Sequence, residues 1–180
     1  MKKHIKVAIE IPKGVIITRE GSAIKVKGPK GEIKRETGTR SVEILISQES
    51  ITLEREKATK REKSKMFSLR AHINNAIRNV QQSSSYKLKI CASHFPMNVT
   101  VQKGVLTIKN FVGEKVPRVM KLPQNVEVAV SGDTITVTGT DGETVGRTAG
   151  LIEQFSQVKE KDRRIFQDGI YIVEKEGVQV

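Results

Sequence analysis

Residues 11–32, IPKGVIITREGSAIKVKGPKGE, are matched without a gap by residues 122–143, LPQNVEVAVSGDTITVTGTDGE. The two stretches share a proline that enters a strand, apolar residues at period two and glycines at turns. The matched pairs are Pro12 with Pro123, Val15 with Val126, Gly21 with Gly132, Ile24 with Ile135, Val26 with Val137, Gly28 with Gly139 and Gly31 with Gly142. The copies lie farther apart than the roughly 20–50 residues of a solenoid repeat. The sequence therefore predicts two copies of one small domain.

The length of the chain agrees with a duplicated fold. A chain of 180 residues allows one or two domains, and the repeat favours two. The stretch Gln81–Ser85 is polar and has no hydrophobic periodicity, so we place the boundary there. The predicted domains are residues 1–84 and 85–180.

Each predicted domain combines strands with one long helix. Period-two alternation and turn residues predict antiparallel hairpins, such as 15–19 with 23–27 and 127–130 with 134–138. Helical periodicity predicts a helix over 59–82 and another that begins after an N-cap. The first helix has Leu69, Ile73, Ala76, Ile77 and Val80 on one face; the second follows Asp141 and has Val145, Ala149, Ile152 and Phe155. The predicted fold class is α+β, with two tandem copies of a small domain, each a largely antiparallel sheet covered by one long helix.

The composition argues against membrane proteins, disulfide-rich proteins and enzymes. No apolar stretch approaches the roughly 18–20 residues that cross a bilayer, and the single Cys91 permits no internal disulfide, which favours the cytoplasm. The histidines His4, His72 and His94 lack metal-ligand spacing, and the stretch Gly28-Pro29-Lys30-Gly31 lacks the spacing of a phosphate-binding loop. We therefore expect no catalytic residue, no metal, no cofactor and no small-molecule substrate.

The charge of the chain points to a polyanionic partner. Lysine and arginine number 32 against 20 acidic residues, a formal net charge of +12. The excess is concentrated in residues 1–84, with 19 basic and 9 acidic residues and a net charge of +10. Residues 85–180 have 13 basic and 11 acidic residues, a net charge of +2. In a chain without a membrane segment, nucleic acid is the favoured partner.

Two basic segments are candidates for nucleic-acid contact. In residues 55–65 glutamates alternate with lysines and arginines, so a solvated surface and RNA contact stay equal alternatives. In residues 159–171 basic side chains lie beside residues that can stack on or hydrogen-bond unpaired bases: Lys159, Lys161, Arg163, Arg164, Gln167 and Tyr171. We favour RNA contact there. A core position for Phe166 and a simple turn at Asp168-Gly169 remain alternative interpretations.

A series of motifs along nearly the whole chain resembles one family. They are IPKGV, KGPKGE, YKLKI, SHFP, NFVGEKVPR, VGRTAGLIEQ and DRRIFQDGIY, in this order. The family is the sixth-numbered protein of the large ribosomal subunit, in its archaeal and eukaryotic branch. NFVGEKVPR and DRRIFQDGIY are the most specific of these motifs.

The resemblance implies a structural, non-enzymatic constituent of the large ribosomal subunit in the cytoplasm. It implies binding to large-subunit rRNA near the base of the acidic stalk and the sarcin–ricin region, where translational GTPases dock, with neighbouring ribosomal proteins as further partners. The C-terminal copy is then the main rRNA binder. Lys115 and Arg118, in the segment 111–120 that we interpret as a connector, join the expected contacts. The alternative is a general nucleic-acid-binding protein that is not tied to the ribosome. Composition alone leaves these two functions close; the resemblance favours the ribosomal one.

Overall fold

The computed structural model describes residues 3–38, 42–47, 49–162 and 164–180. The chain forms two compact units, Met1–Ser83 and Ser84–Val180. The sequence-based boundary after residue 84 lies beside this division. Ser84 belongs to the second unit, since its Oγ donates to Oε1 of Glu176 at 3.0 Å.

The first unit contains six strands and one long helix among its described residues. The strands are β1 (Lys3–Glu10), β2 (Ile16–Glu20), β3 (Ala23–Gly28), β4 (Gly31–Glu36), β5 (Glu43–Ile46) and β6 (Ser50–Ala58), and the helix is α1 (Lys60–Gln81). They form two antiparallel three-stranded sheets, in the orders β1-β6-β5 and β2-β3-β4. Helix α1 packs against strands of both sheets.

Helix α1 begins at a capping box and buries the predicted apolar face. The Oγ1 of Thr59 accepts from the amide of Glu62 at 3.3 Å, and Oε2 of Glu62 accepts from the amide of Thr59 at 2.8 Å. All five residues predicted for the face are buried. They pack in one core with residues of both sheets, among them Ile51 and Leu53 of β6, which are fully buried.

The described residues of the second unit form eight strands and the second long helix. The strands are β7 (Ser84–Cys91), β8 (Asn98–Gln102), β9 (Val105–Lys109), β10 (Arg118–Lys121), β11 (Glu127–Ser131), β12 (Thr134–Gly139), β13 (Gly169–Lys175) and β14 (Val178–Gln179), and the helix is α2 (Gly142–Phe155). The antiparallel sheets have the orders β10-β9-β8 and β11-β12-β7-β13-β14. Helix α2 packs on β7, β12 and β13. The predicted α+β class is thus confirmed.

One matched glycine pair has the same packing role in both units. A Cβ on Gly28 would lie 2.7 Å from Cγ2 of Val80 on α1, and a Cβ on Gly139 would lie 2.8 Å from Cγ2 of Val145 on α2. In each unit a valine of the helix therefore packs against the last residue of a strand so closely that only glycine fits there. This contact explains why the repeat contains glycine at both positions.

The segment interpreted from sequence as a plain connector, Phe111–Met120, contains more structure than expected. It begins with a short 3-10 turn at Phe111–Gly113 and then enters β10, which pairs with β9. No helix in the described part of the chain is long and apolar enough to cross a membrane.

Candidate nucleic-acid interface

Five of the residues predicted to contact RNA lie in the segment between α2 and β13 or on β13 itself. We call residues 157–168 the basic loop. Lys159, Lys161, Arg164 and Gln167 are exposed in this loop, and Tyr171 is exposed on β13. Arg163, also predicted, lies outside the described residues.

Arg164 is held in place by the carboxylate of Asp162. The backbone amide of Arg164 donates to Oδ1 of Asp162 at 3.0 Å, and its Nη2 donates to Oδ2 at 2.7 Å. Hydrogen bonds from the Arg164 side chain and amide lower the pKa of Asp162 below its usual value. The Arg164 side chain is 90% exposed. An exposed ion pair of this kind is easily exchanged, so the guanidinium can turn its two parallel donors onto a phosphate.

A ring stack connects the basic loop to the distant SHFP segment. The rings of Phe166 and His94 lie with centroids 4.6 Å apart and planes 25° apart. The Nζ of Lys161 lies 4.5 Å from the centroid of Phe166. Phe166, which is half-buried, thus supports an exposed ammonium group rather than filling the centre of the core.

A buried carboxylate anchors this stack. Oδ1 of Asp168 accepts from the backbone amides of Ser93 at 2.7 Å and His94 at 3.0 Å, and Oδ2 lies 2.6 Å from Nδ1 of His94. Burial acts to raise the pKa of Asp168, but the hydrogen bonds from His94 and Ser93 lower it below the usual value. Asp168 is therefore ionised and fixes the ring of His94 beneath Phe166. It has a structural role beyond that of a turn residue.

The polar ends of the Gln167 and Tyr171 side chains donate hydrogen bonds to backbone carbonyls of the basic loop. The Nε2 of Gln167 donates to the carbonyl of Arg164 at 3.3 Å, and the hydroxyl of Tyr171 donates to the carbonyl of Gln167 at 3.1 Å. These bonds hold the loop against β13. Tyr171 is 42% exposed, so its ring can still present a face to a base.

Arg118 lies at the start of β10, and its guanidinium contacts several groups of the protein. Its Nε donates to Oε2 of Glu114 at 2.8 Å, and its Nη1 donates to the carbonyls of Phe155 at 2.8 Å and Gln157 at 3.2 Å. Its Cζ lies 4.1 Å from the ring centroid of Phe111. Arg118 thus ties the connector to the carbonyl end of α2. This geometry favours a role in positioning the basic loop over direct contact with phosphate.

The connector and the basic loop meet on one side of the second unit. Hydrogen bonding by Arg118 lowers the pKa of Glu114 most, burial opposes the shift, and the charges of Lys159 and Lys161 lower it further. Arg118 and Lys159 also line one open groove of about 580 Å³. Lys115 is exposed on the connector. The structure therefore brings the two predicted sets of basic residues together.

Comparison with known proteins decides the family. The protein-family model described as Ribosomal protein L6 matches residues 11–83 and 95–169, one stretch in each unit. The chain belongs to the ribosomal protein L6 family. The resemblance inferred from the motifs is confirmed, and so is the duplication.

Several relatives carry the name large ribosomal subunit protein uL6. The chain is 42% identical over 176 residues to that of Aeropyrum pernix, covering 97% of both proteins. It is 40% identical over 172 residues to that of Methanobrevibacter smithii, covering 96% of this chain and 97% of the relative. It is 43% identical over 173 residues to that of Methanococcus vannielii, covering 96% and 95% respectively.

The family assignment answers two questions that the fold leaves open. Proteins of the L6 family are structural, which confirms the predicted non-enzymatic class, and they reside on the ribosome, which confirms the predicted cytoplasmic location. Among the described residues, no group of three or more His, Cys, Asp or Glu side chains is placed to hold a metal ion.

Sequence reasoning missed the anchor of the interface. His94 gave no signal because it has no metal-ligand spacing, and Asp168 resembled an ordinary turn residue before glycine. The two residues meet only because β7 and β13 pair, with Cys91 opposite Gly169. Phe95 directly after His94 and Phe166 two residues before Asp168 are the one local hint of a stacked cluster.

Proposed function

We propose that this protein is a structural constituent of the large ribosomal subunit that binds large-subunit rRNA mainly through its second unit. The observation that carries the proposal is the family match over both units, together with full-length relatives named as large-subunit proteins. The basic loop and the adjacent connector supply the surface through which rRNA is bound.

The exposed charges of this surface suit phosphate recognition. Lys115, Lys159, Lys161 and Arg164 are exposed and stand on a framework fixed by the Asp168 anchor and by Arg118. Ammonium and guanidinium groups placed in this way neutralise phosphates and release counterions. We include Arg163 in the contact set because it neighbours Arg164 in the chain. Gln167 and Tyr171 join the set through the exposed parts of their side chains.

The family resemblance of the motifs supports a proposal for the finer location. We propose that the protein lies near the base of the acidic stalk and the sarcin–ricin region, with proteins of the stalk base among its neighbours. The two domains predicted from sequence, 1–84 and 85–180, differ from the two compact units only in the placement of Ser84. The small net charge of the second domain does not contradict its role as the main binder, because four of its basic residues lie within residues 159–164, while acidic residues elsewhere lower the net charge of the domain.

The proposal is tested by sedimenting the tagged protein from cell lysate on a sucrose gradient, before and after a high-salt wash. Co-migration with the large subunit that survives the wash is the expected result. Protein at the top of the gradient, or protein stripped by salt from every RNA species alike, would replace this proposal with a general nucleic-acid-binding protein.

A further inference from the structure

The first unit has a concave basic pocket between the start of β1 and the first turns of α1. Its volume is about 430 Å³. The side chains that matter for its chemistry are His4, Lys6, Lys60, Lys63 and Phe67. We call it the β1–α1 pocket.

The charge of the β1–α1 pocket is positive. Lys6, Lys60 and Lys63 are exposed, and no carboxylate side chain is among the described residues that line the pocket. Two carboxylates lie near the pocket, and each has a partner: Glu62 is bound in the capping box and by Nη2 of Arg55 at 3.2 Å, and Oε1 of Glu54 lies 2.7 Å from Nε2 of His4. Three ammonium groups around one concavity favour a polyanion.

The pocket also contains an aromatic ring that the core does not use. Phe67 is 42% exposed, while the adjacent Met66 and Leu69 face the core and are buried. The Nζ of Lys63, one turn earlier on α1, lies 5.8 Å from the centroid of the Phe67 ring. A ring on the polar face of a basic helix is the arrangement that stacks an unpaired base while lysines hold its phosphates.

We propose that the β1–α1 pocket binds one unpaired nucleotide of RNA. The base stacks on Phe67, and Lys6, Lys60 and Lys63 bind the flanking phosphates. An acidic peptide would match the lysines but would leave the planar ring without a planar partner. A stable protein interface covers about 800 Å² on each partner, so it would have to extend well beyond this pocket. The site rests on the proposed role of the chain as an RNA-binding protein, but not on the residues of the basic loop.

The test uses the full chain with the substitutions K159Q, K161Q and R164Q, which weaken RNA binding by the basic loop. Fluorescence anisotropy with a short fluorescein-labelled oligouridylate then reports the remaining sites. We expect F67L to weaken binding at least about fivefold, because stacking on the ring is lost, and F67Y to preserve it. We expect K63Q to reduce the slope of log K against log salt by about 0.7.

The matched control is K65Q, which removes one exposed lysine of the same helix outside the pocket. Equal effects of K63Q and K65Q, or unchanged affinity of F67L with a normal circular dichroism spectrum, would overturn the proposal. So would F67L-sensitive binding of oligoglutamate together with F67L-insensitive binding of oligouridylate. Ultraviolet crosslinking of the oligouridylate, mapped by mass spectrometry, is expected to label α1.

Failure of this site and failure of the ribosomal role give different results. Wild-type protein that leaves the large subunit in high salt, yet binds oligouridylate in an F67L-sensitive way, would contradict only the ribosomal role. Protein that stays on the large subunit, with F67L and wild type binding oligouridylate alike, would contradict only the pocket.

Discussion

The buried carboxylate of Asp168 holds the imidazole of His94, with 2.6 Å between Oδ2 and Nδ1. The same carboxylate accepts from two backbone amides of the SHFP segment, so it fixes both the loop and the ring. Phe166 rests on that ring, and Lys161 lies over Phe166. The buried carboxylate of Asp168 therefore determines the position of the exposed ammonium group of Lys161.

Replacing Asp168 with Asn should destabilise the second unit by about 1–3 kcal/mol, because the amide offers one acceptor oxygen where the carboxylate offers two. The chain has no tryptophan, and its two tyrosines, Tyr86 and Tyr171, both lie in the second unit. Tyrosine fluorescence during urea unfolding thus reports this unit. The control is D133N, which neutralises an exposed turn carboxylate. Equal urea midpoints for the two variants would contradict the anchoring role.

The stability of the second unit should fall in acid partly through Asp168. Its pKa is lowered in the folded protein, so the folded state binds this proton less tightly than the unfolded state. The stabilisation is present above the ordinary value of 3.8 and is lost as pH falls through the lower folded pKa.

Urea midpoints measured by tyrosine fluorescence between pH 6 and pH 3 (roughly the range that spans the ordinary carboxylate pKa) test this expectation. The difference between wild type and D168N should shrink toward the acidic end. The pKa of Glu114 is also lowered, first through its bond to Arg118, so both proteins should carry E114Q to remove that contribution. A difference that stays constant with pH would show that Asp168 does not titrate with unfolding.

Removing the described cations of the basic loop should weaken rRNA binding without unfolding the protein. The triple change K159Q, K161Q and R164Q should reduce affinity for a large-subunit rRNA fragment by roughly tenfold or more and flatten the salt slope by about 2. The control triple K103Q, K109Q and K175Q removes exposed lysines of the same unit outside the loop. Similar losses for both triples would show that the unit binds RNA only through its overall charge.

Arg118 should behave as a positioning residue and not as a phosphate ligand. Its side chain is only 18% exposed and is held by Glu114 and two carbonyls near the end of α2. R118Q should lower the stability of the second unit by about 1–3 kcal/mol and weaken rRNA binding while leaving the salt slope unchanged. A slope reduced by about 1 in R118Q would instead support the direct contact expected from sequence.

Local patterns were enough to predict the duplication, the two helices and the antiparallel hairpins. Each depends on residues close in the chain: the helix stripe from Leu69 to Val80 repeats at helical spacing, and hairpins meet at glycine-containing turns. Strand β10 was missed because it follows Pro117 and depends on pairing with β9, which a local pattern does not reveal.

The sequence predicts which residues make up the candidate site, but it does not predict how they are arranged in space. The exposed positions of Lys159, Lys161 and Arg164 follow from their charge, and the sequence places them in one loop. The internal role of Arg118 and the pair formed by His94 and Asp168 depend on strands brought together by the fold. A single sequence contains no signal for such distant contacts.

The matched glycines Gly28 and Gly139 should each be needed for the stability of their own unit. An added methyl group would lie 2.7 Å or 2.8 Å from a stiff valine and close to a backbone oxygen, so G28A and G139A should each cost about 1–3 kcal/mol. Amide hydrogen exchange followed by NMR separates the units: G28A should speed exchange in α1 and G139A in α2.

The control for these variants is G150A, because a Cβ at Gly150 on α2 meets no atom within 4 Å. Alanine there should slow exchange in α2, since it favours the helix by up to about 1 kcal/mol over glycine. If G28A and G139A left exchange unchanged while G150A slowed it, the strand and helix could separate to admit a methyl group. The glycines shared by the two copies would then reflect common ancestry and not a packing requirement.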